Sequence, residues 1–141
     1  MDTVLNTTNL AQHWAATYFL RHSDHQELVE DFHRAMGQPL YLDFDQATPE
    51  LLDFRGQLIA EEVDEFFYAE SQENALKEMA DIMYVLYGAA ATFGWDLDEA
   101  FRRVHLSNMS KLVDGKPLLR EDGKVMKGPN YKPADLSDLV A

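Results

Sequence analysis

The sequence predicts an all-α fold, a bundle of four to five helices followed by a loop-rich C-terminal tail. Apolar residues recur at the three- and four-residue spacing of an amphipathic helix, and helix start and stop signals bound each such stretch. Beyond residue 111, glycine and proline recur too often for another helix. A chain of 141 residues is long enough for one core but too short for two, so residues 1–141 are predicted to form one domain.

The first two predicted helices precede residue 40. Residues 1–22 form a predicted N-terminal helical extension, with its helix over about residues 9–21. The second helix begins at Ser23, where Gln26 three residues later completes a capping box, and it ends at Gly37. Its inward-facing residues are expected to be Leu28, Val29, Phe32 and Met36.

Two longer helices follow a loop over residues 38–47. Thr48 is an N-cap residue and Pro49 suits the first helical turn, so a third helix is predicted from there to about Ala69. The fourth helix covers about residues 73–93, and Gly94 is its predicted C-terminal stop. Both helices are rich in apolar residues, which indicates that they form the centre of the bundle.

The fifth predicted helix opens the C-terminal part of the chain. Asp96 with Glu99 repeats the capping-box signal, and the helical pattern fades near Lys111. Residues 112–141 then form a predicted loop-rich basic tail with one small hairpin at Asp122-Gly123.

The composition argues against several classes of protein. A formal net charge of −13 is unsuited to binding nucleic acid through a basic surface. The chain has no cysteine, which suits a reducing compartment and excludes a thiolate metal site. No apolar run approaches the roughly 20 residues that a membrane-spanning helix needs, and the N-terminus lacks a signal-peptide pattern. We therefore expect a cytoplasmic protein that binds neither nucleic acid nor membranes.

The charges are unevenly distributed along the chain. Residues 61–81 hold eight acidic residues against one base, Lys77, whereas residues 102–132 hold eight of the twelve lysines and arginines. An acidic middle followed by a basic tail suits a site in which carboxylates hold cations while basic residues bind a polyphosphate.

Five acids stand at a spacing that suggests a metal site. Glu61, Glu62 and Glu65 share one face of the third helix, and Glu78 and Asp81 share one face of the fourth. If the two helices pair antiparallel, the carboxylates converge and repel one another unless a cation neutralises them. The alternative for each acid taken singly is a solvated helix surface.

Oxygen-only ligands favour a hard divalent cation such as Mg²⁺ or Mn²⁺. Zinc is disfavoured because cysteine and a nearby histidine are absent, and a di-iron bundle would use Glu-x-x-His pairs, which are missing. Two such ions about 4 Å apart can activate a water and neutralise a phosphoryl group. We expect two or more ions per site.

These residues resemble the signature of the MazG-like all-α NTP pyrophosphohydrolases, which include dimeric dUTPases and phosphoribosyl-ATP pyrophosphohydrolases. The likeness covers about residues 29–135 and is closest to the short single-domain bacterial and phage enzymes, which implies the cytoplasm of a bacterium or of an infected host. Its motifs are Glu61-Glu62-x-x-Glu65, the run from Glu78 to Gly88, His105-x-x-Asn108-x-x-Lys111, and Asp122-Gly123-Lys124-x-x-Lys127 with Tyr131 and Pro133.

The resemblance implies hydrolysis of a (deoxy)nucleoside triphosphate, such as dGTP, GTP or dUTP, to the monophosphate and pyrophosphate with Mg²⁺ or Mn²⁺. The family's metal-ligand positions fall on Glu62, Glu65, Glu78 and Asp81. Glu61 is either a further ligand or the base that orients the water, so Glu61 and Glu62 are the candidate catalytic residues. An enzymatic alternative is phosphoribosyl-ATP hydrolysis, and a non-catalytic alternative is an acidic binding protein or DNA mimic.

The basic tail is the candidate phosphate and nucleotide grip. Asn108 and Lys111 share a helix face, and Lys124 and Lys127 lie on a glycine-bounded loop where they can meet phosphates as point charges. Tyr131 either stacks on the nucleoside or packs within the tail.

Three other polar residues are expected to be structural. His33 and His105 are interpreted as hydrogen-bonded structural histidines, and Arg55 as a structural partner of the acids two helical turns away.

The apolar surface of the two central helices exceeds what one short chain can cover. The fourth helix is apolar nearly all round, and such a helix must be buried on every side. We therefore expect a homodimer or a dimer of dimers, as the resemblance also implies, in which one chain helps to complete its neighbour's pocket.

Overall fold

The computed structural model of the protein describes residues 25–140, and these residues confirm the all-α prediction. No β-strand occurs within this range. The first predicted helix and Ser23 lie outside it. Two short 3₁₀ segments accompany the helices, at Phe44–Gln46 and Ser137–Leu139. The four α-helices are α1 (His25–Met36), α2 (Pro49–Phe67), α3 (Gln72–Phe93) and α4 (Leu97–Met109).

Side-chain caps set the start of three helices. The Thr48 hydroxyl accepts a hydrogen bond from the Leu51 amide at 3.2 Å, and the Asp96 carboxylate accepts one from the Glu99 amide at 2.9 Å. Both predicted caps are confirmed. The Ser71 hydroxyl caps α3 in the same way, so α3 begins one residue earlier than its apolar pattern indicated.

Glycines end α1 and α3, as predicted. Gly37 and Gly94 have φ angles of +67° and +68°, a left-handed conformation that favours glycine. After Gly94 the chain turns back, and the Trp95 amide donates to the Ala90 carbonyl at 2.9 Å. The turn therefore satisfies carbonyl groups that the end of α3 would otherwise leave open.

The α2–α3 hairpin forms the centre of the described structure. The two helices run antiparallel across the turn over residues 68–71 and pack along their length, while α1 packs on α3 and α4 contacts α1. The most deeply buried apolar residues are Val29, Tyr87 and Ala91, with Leu40 and Leu97 packed against them. The core thus lies towards the C-terminal half of α3. Within residues 25–140, no helix combines the length and hydropathy that crossing a bilayer requires.

Helix α1 docks through a face that overlaps only in part with the predicted one, since Val29 is buried as expected. Val29 and His33 are buried, whereas Phe32 and Met36 are 40% and 60% exposed, so the inward placement of the latter two is wrong. Because residues four apart share a face, docking through Val29 and His33 turns Phe32 to the edge of the interface. There its ring meets the ring of Tyr84 edge-on, with 5.4 Å between centroids.

The C-terminal tail is anchored on α4. Arg103 forms an ion pair with Asp138 at 2.6 Å, and the Ser107 hydroxyl donates to the Lys132 carbonyl at 2.7 Å. Between these anchors, an isolated bridge joins Leu119 and Val125. The predicted hairpin at Asp122-Gly123 is therefore confirmed as a tight turn without strands.

Candidate active site

Three of the five acids meet beside the turn between α2 and α3. Each of Glu62, Glu78 and Asp81 offers a carboxylate oxygen, and these oxygens lie within 4.8 Å of one another. We call these three residues the carboxylate cluster. It forms because Glu62 lies in the last turns of α2 and the other two in the first turns of α3, so the antiparallel hairpin brings them to one level.

The N-terminus of α3 holds Glu78 in place. The Asn74 side-chain amide donates to Glu78 Oε1 at 3.1 Å, while its oxygen accepts from the Glu70 amide at 3.4 Å. The Asn74 backbone amide in turn donates to the Ser71 cap. Glu78 is only 5% exposed. A chain of local hydrogen bonds therefore fixes a buried carboxylate at the cluster.

Two oxygens of the cluster are buried without a partner. Oε2 of Glu62 and Oε2 of Glu78 accept no hydrogen bond, although burying an unpaired carboxylate oxygen is costly. The donor set consists of carboxylate oxygens alone, which hard divalent cations prefer. The residues of the cluster therefore fit a Mg²⁺ or Mn²⁺ ion that the two oxygens would ligate.

The pKa of Glu62 is raised because its carboxyl group is partly buried and lies close to other acids. Burial of the carboxyl group, together with the negative charges of the neighbouring acids, raises the pKa of Glu62 to about 7. Those neighbours are Glu65, Asp81 and Glu78. A divalent cation bound between the carboxylates would oppose this effect and favour the ionised form of Glu62.

Lys77 is a member of the site to which the sequence interpretation gave no role. Its ammonium lies 2.6 Å from Asp81 Oδ2 and 3.4 Å from Glu78 Oε1. The hydrogen bond to Asp81 holds the pKa of Lys77 above its usual range. The i,i+4 spacing of Lys77 and Asp81 on one helix was the signal that could have identified this pair.

Glu65 and Glu61 lie outside the cluster. Both are exposed on α2. Glu65 is nevertheless near enough to Glu62 for its charge to raise the pKa of that residue. In the part of the chain that the structure describes, Glu61 has no hydrogen bond or ion pair, so its carboxylate is open to solvent.

The predicted phosphate grip lies on α4 and the tail. Within residues 25–140, no hydrogen bond or ion pair joins Asn108, Lys111, Lys124, Lys127 or Tyr131 to the carboxylate cluster. Instead, the Lys127 ammonium sits over the Tyr131 ring, 4.8 Å from its centroid, and Asn108 and Lys111 share a turn at the end of α4. The two halves of the predicted site are therefore not bonded directly to each other, and their joint role stays a prediction.

Of the three residues interpreted as structural, only His33 is placed as expected. His33 is 2% exposed, and its Nδ1 donates to the Pro39 carbonyl at 2.8 Å. Burial lowers the pKa of His33, which favours the neutral imidazole. The prediction for His105 is wrong, because this residue is exposed and makes no hydrogen bond within the described residues.

The prediction for Arg55 is also wrong. Arg55 is 7% exposed and donates to Gln38 at 3.2 Å, while its Nε has no partner. It forms no ion pair with the carboxylate cluster. Its side chain is instead held in the core against Gly88, where an added Cβ would lie 3.4 Å from Nη1.

Comparison with known proteins identifies one family. A sequence profile of phosphoribosyl-ATP pyrophosphohydrolases matches residues 29–108, more than half of the chain. The matched segment contains both carboxylate-bearing helices and ends at Asn108, so it leaves out Lys111 and the basic tail. A search of curated proteins finds no match.

Proposed function

The chain belongs to the phosphoribosyl-ATP pyrophosphohydrolase family, and from this premise we propose that it is a metal-dependent nucleotide pyrophosphohydrolase. In this proposal it hydrolyses a (deoxy)nucleoside triphosphate, such as dGTP, GTP or dUTP, to the monophosphate and pyrophosphate. The observation that carries the proposal is the carboxylate cluster, whose two buried and unpartnered oxygens suit a divalent cation.

The proposed metal ligands are Glu62, Glu78 and Asp81, with Glu65 as a fourth from the adjacent turn of α2. A divalent cation bound there supplies charge neutralisation for the phosphoryl group and a water of lowered pKa. The cluster is the one group of three or more metal-ligating side chains among residues 25–140. A second ion would therefore draw on Glu65, Glu61 and the substrate's own phosphates.

The chain's own carboxylates are proposed to position the attacking water. Glu61 has an exposed carboxylate without a partner, one residue before the cluster. We propose that it accepts a hydrogen bond from the attacking water and takes its proton as the general base. Glu62 contributes as a ligand through its buried Oε2 atom.

The remaining proposed contacts to the substrate come from the basic tail. Lys111, Lys124 and Lys127 offer ammonium groups for the β- and γ-phosphates, Asn108 offers an amide, and Tyr131 offers a ring for the nucleoside. Since no hydrogen bond or ion pair ties these residues to the cluster of their own chain, they are free to bind substrate, and we propose that they help to complete the site of a neighbouring subunit in a homodimer or a dimer of dimers.

Phosphoribosyl-ATP is the second candidate substrate, and the family match favours it. The same metal-bound carboxylates could cleave the triphosphate of either substrate, because both reactions release pyrophosphate. The two candidates differ in the ribosyl group that the protein must accommodate beyond the base.

A substrate panel tests the proposal. Pyrophosphate release would be measured with Mg²⁺ for the eight common nucleoside triphosphates and for phosphoribosyl-ATP. We expect at least one nucleoside triphosphate to exceed phosphoribosyl-ATP in kcat/KM. Glu62→Gln should lower that rate by about 100-fold or more, since it removes a ligand, whereas Asp64→Asn, an exposed acid on the same helix, should leave it unchanged.

Two outcomes would redirect or end the proposal. A preference for phosphoribosyl-ATP would replace the substrate while keeping the chemistry. No hydrolysis of any substrate would favour a non-catalytic acidic protein.

A further inference from the structure

Lys77 places a positive charge on two of the carboxylates that would ligate a metal ion. Its Nζ contacts one oxygen each of Asp81 and Glu78, at 2.6 Å and 3.4 Å. These are two of the three carboxylates of the cluster. Among residues 25–140, it is the one basic side chain that forms an ion pair with the cluster.

The ammonium and a metal ion make opposing demands on these carboxylates. A divalent cation and an ammonium a few ångströms apart repel each other. Each also makes the potential at the carboxylates less negative, which weakens binding of the other. The Lys77 side chain is 63% exposed, and its ammonium is joined to the backbone by four flexible methylene groups. It can therefore leave the cluster without disturbing the core, whereas Glu78 is held by Asn74 and cannot.

The Lys77 ammonium leaves two carboxylate oxygens of the cluster without a partner. Lys77 reaches Oε1 of Glu78 but not Oε2, and it does not reach Glu62, so the two buried unpartnered oxygens stay unpaired. A single positive charge at the rim offsets part of the repulsion among three carboxylates. It does not fill the space between them.

From this geometry we infer that Lys77 is the resident counterion of the carboxylate cluster and that a divalent cation displaces it on binding. The inference rests on the proposed metal site. It has two consequences: the site binds its cation more weakly than the carboxylates alone would, and the metal-free protein is partly protected from their repulsion.

Binding of Mn²⁺ to the full-length chain, measured by calorimetry without nucleotide, tests the inference. Lys77→Gln should tighten Mn²⁺ binding about tenfold, since one positive charge close to the ion is removed. Lys77→Arg keeps the charge and should bind like the wild type. Lys116→Gln removes an equal charge from the tail and should change the affinity by less than about twofold.

Thermal melts separate this role from a purely structural one. Lys77→Gln should lower Tm in EDTA, because nothing then offsets the repulsion, and the difference should vanish or reverse in saturating Mn²⁺. A structural contact would lower Tm equally in both conditions.

The Mn²⁺ titrations distinguish failure of the counterion role from failure of the proposed metal site. If the wild type binds Mn²⁺ and Lys77→Gln binds it no more tightly, the counterion role is wrong while the metal site stands. If the wild type binds no Mn²⁺, both are wrong.

Discussion

At the scale of single residues, Glu62 shows most clearly the conflict between folding and function. Its carboxyl group is partly buried beside three other acids, which raises its pKa from the usual 4.5 to about 7. In the metal-free protein, folding therefore favours the protonated form. As pH rises from about 4.5 through about 7, the folded state must give up a proton that the unfolded state has already lost, so this residue lowers stability over that range.

The loss of stability with rising pH should disappear in Glu62→Gln. In EDTA, the wild type should lose a few degrees of Tm between pH 5 and pH 8 that the Glu62→Gln variant does not lose, because glutamine has no proton to release. Thermal melts at the two pH values measure the difference, with Asp64→Asn as the control for removing an exposed acid. Equal losses in the wild type and in Glu62→Gln would show that Glu62 ionises normally.

The sequence predicts which acids approach one another but not which side chains they pair with. The periodicity of α2 and α3 predicts which acids share a face, and a short turn predicts that the faces meet. Neither predicts that Asp81 is paired with Lys77 while Oε2 of Glu62 has no partner. Side-chain positions on a crowded surface depend on several competing charges, and only the i,i+4 spacing of Lys77 hinted at the result.

At the scale of helices, glycine has opposite roles in α3 and α2. Gly94 ends α3 with φ +68°, and an added Cβ would lie 3.0 Å from the Tyr41 ring. Gly56 lies inside α2, where an added Cβ would meet no atom of residues 25–140 within 4 Å. The same substitution should therefore have opposite effects at the two sites.

Chemical denaturation tests this contrast. Gly94→Ala should destabilise the protein by about 1–2 kcal/mol, because alanine resists the left-handed conformation. Gly56→Ala should stabilise it by about 0.5–1 kcal/mol, because alanine costs less backbone entropy in a helix. A destabilised Gly56→Ala variant would mean that α2 is covered at this point by something other than residues 25–140.

Helix ends were more predictable than helix faces. Thr48, Asp96 and Gly94 act through hydrogen bonds and dihedral angles within a few residues, so the local sequence determines them. The docking face of α1 depends instead on the shape of α3. There Gly88 leaves room for the His33 and Arg55 side chains, and that relation between distant segments is not visible in the helical pattern of residues 25–36.

At the scale of the whole molecule, one chain leaves much apolar surface uncovered. Phe67, Leu76 and Phe101 are 75%, 69% and 71% exposed, and exposed apolar surface of this extent is typical of an interface. We predict a homodimer or a dimer of dimers, so light scattering at micromolar concentration should give at least twice the chain mass of 16.1 kDa. A fully active species of 16.1 kDa would contradict the prediction and would also require the tail to reach its own cluster.

The central claim is that the carboxylate cluster holds a divalent cation for release of pyrophosphate from a nucleotide. Phosphorus NMR of the products, with the best substrate of the panel in Mg²⁺ and in EDTA, tests it most directly. We predict monophosphate and pyrophosphate in equal amounts with Mg²⁺, no turnover in EDTA, and recovery when Mg²⁺ or Mn²⁺ is restored. Undiminished turnover in EDTA, or release of orthophosphate alone, would contradict the claim.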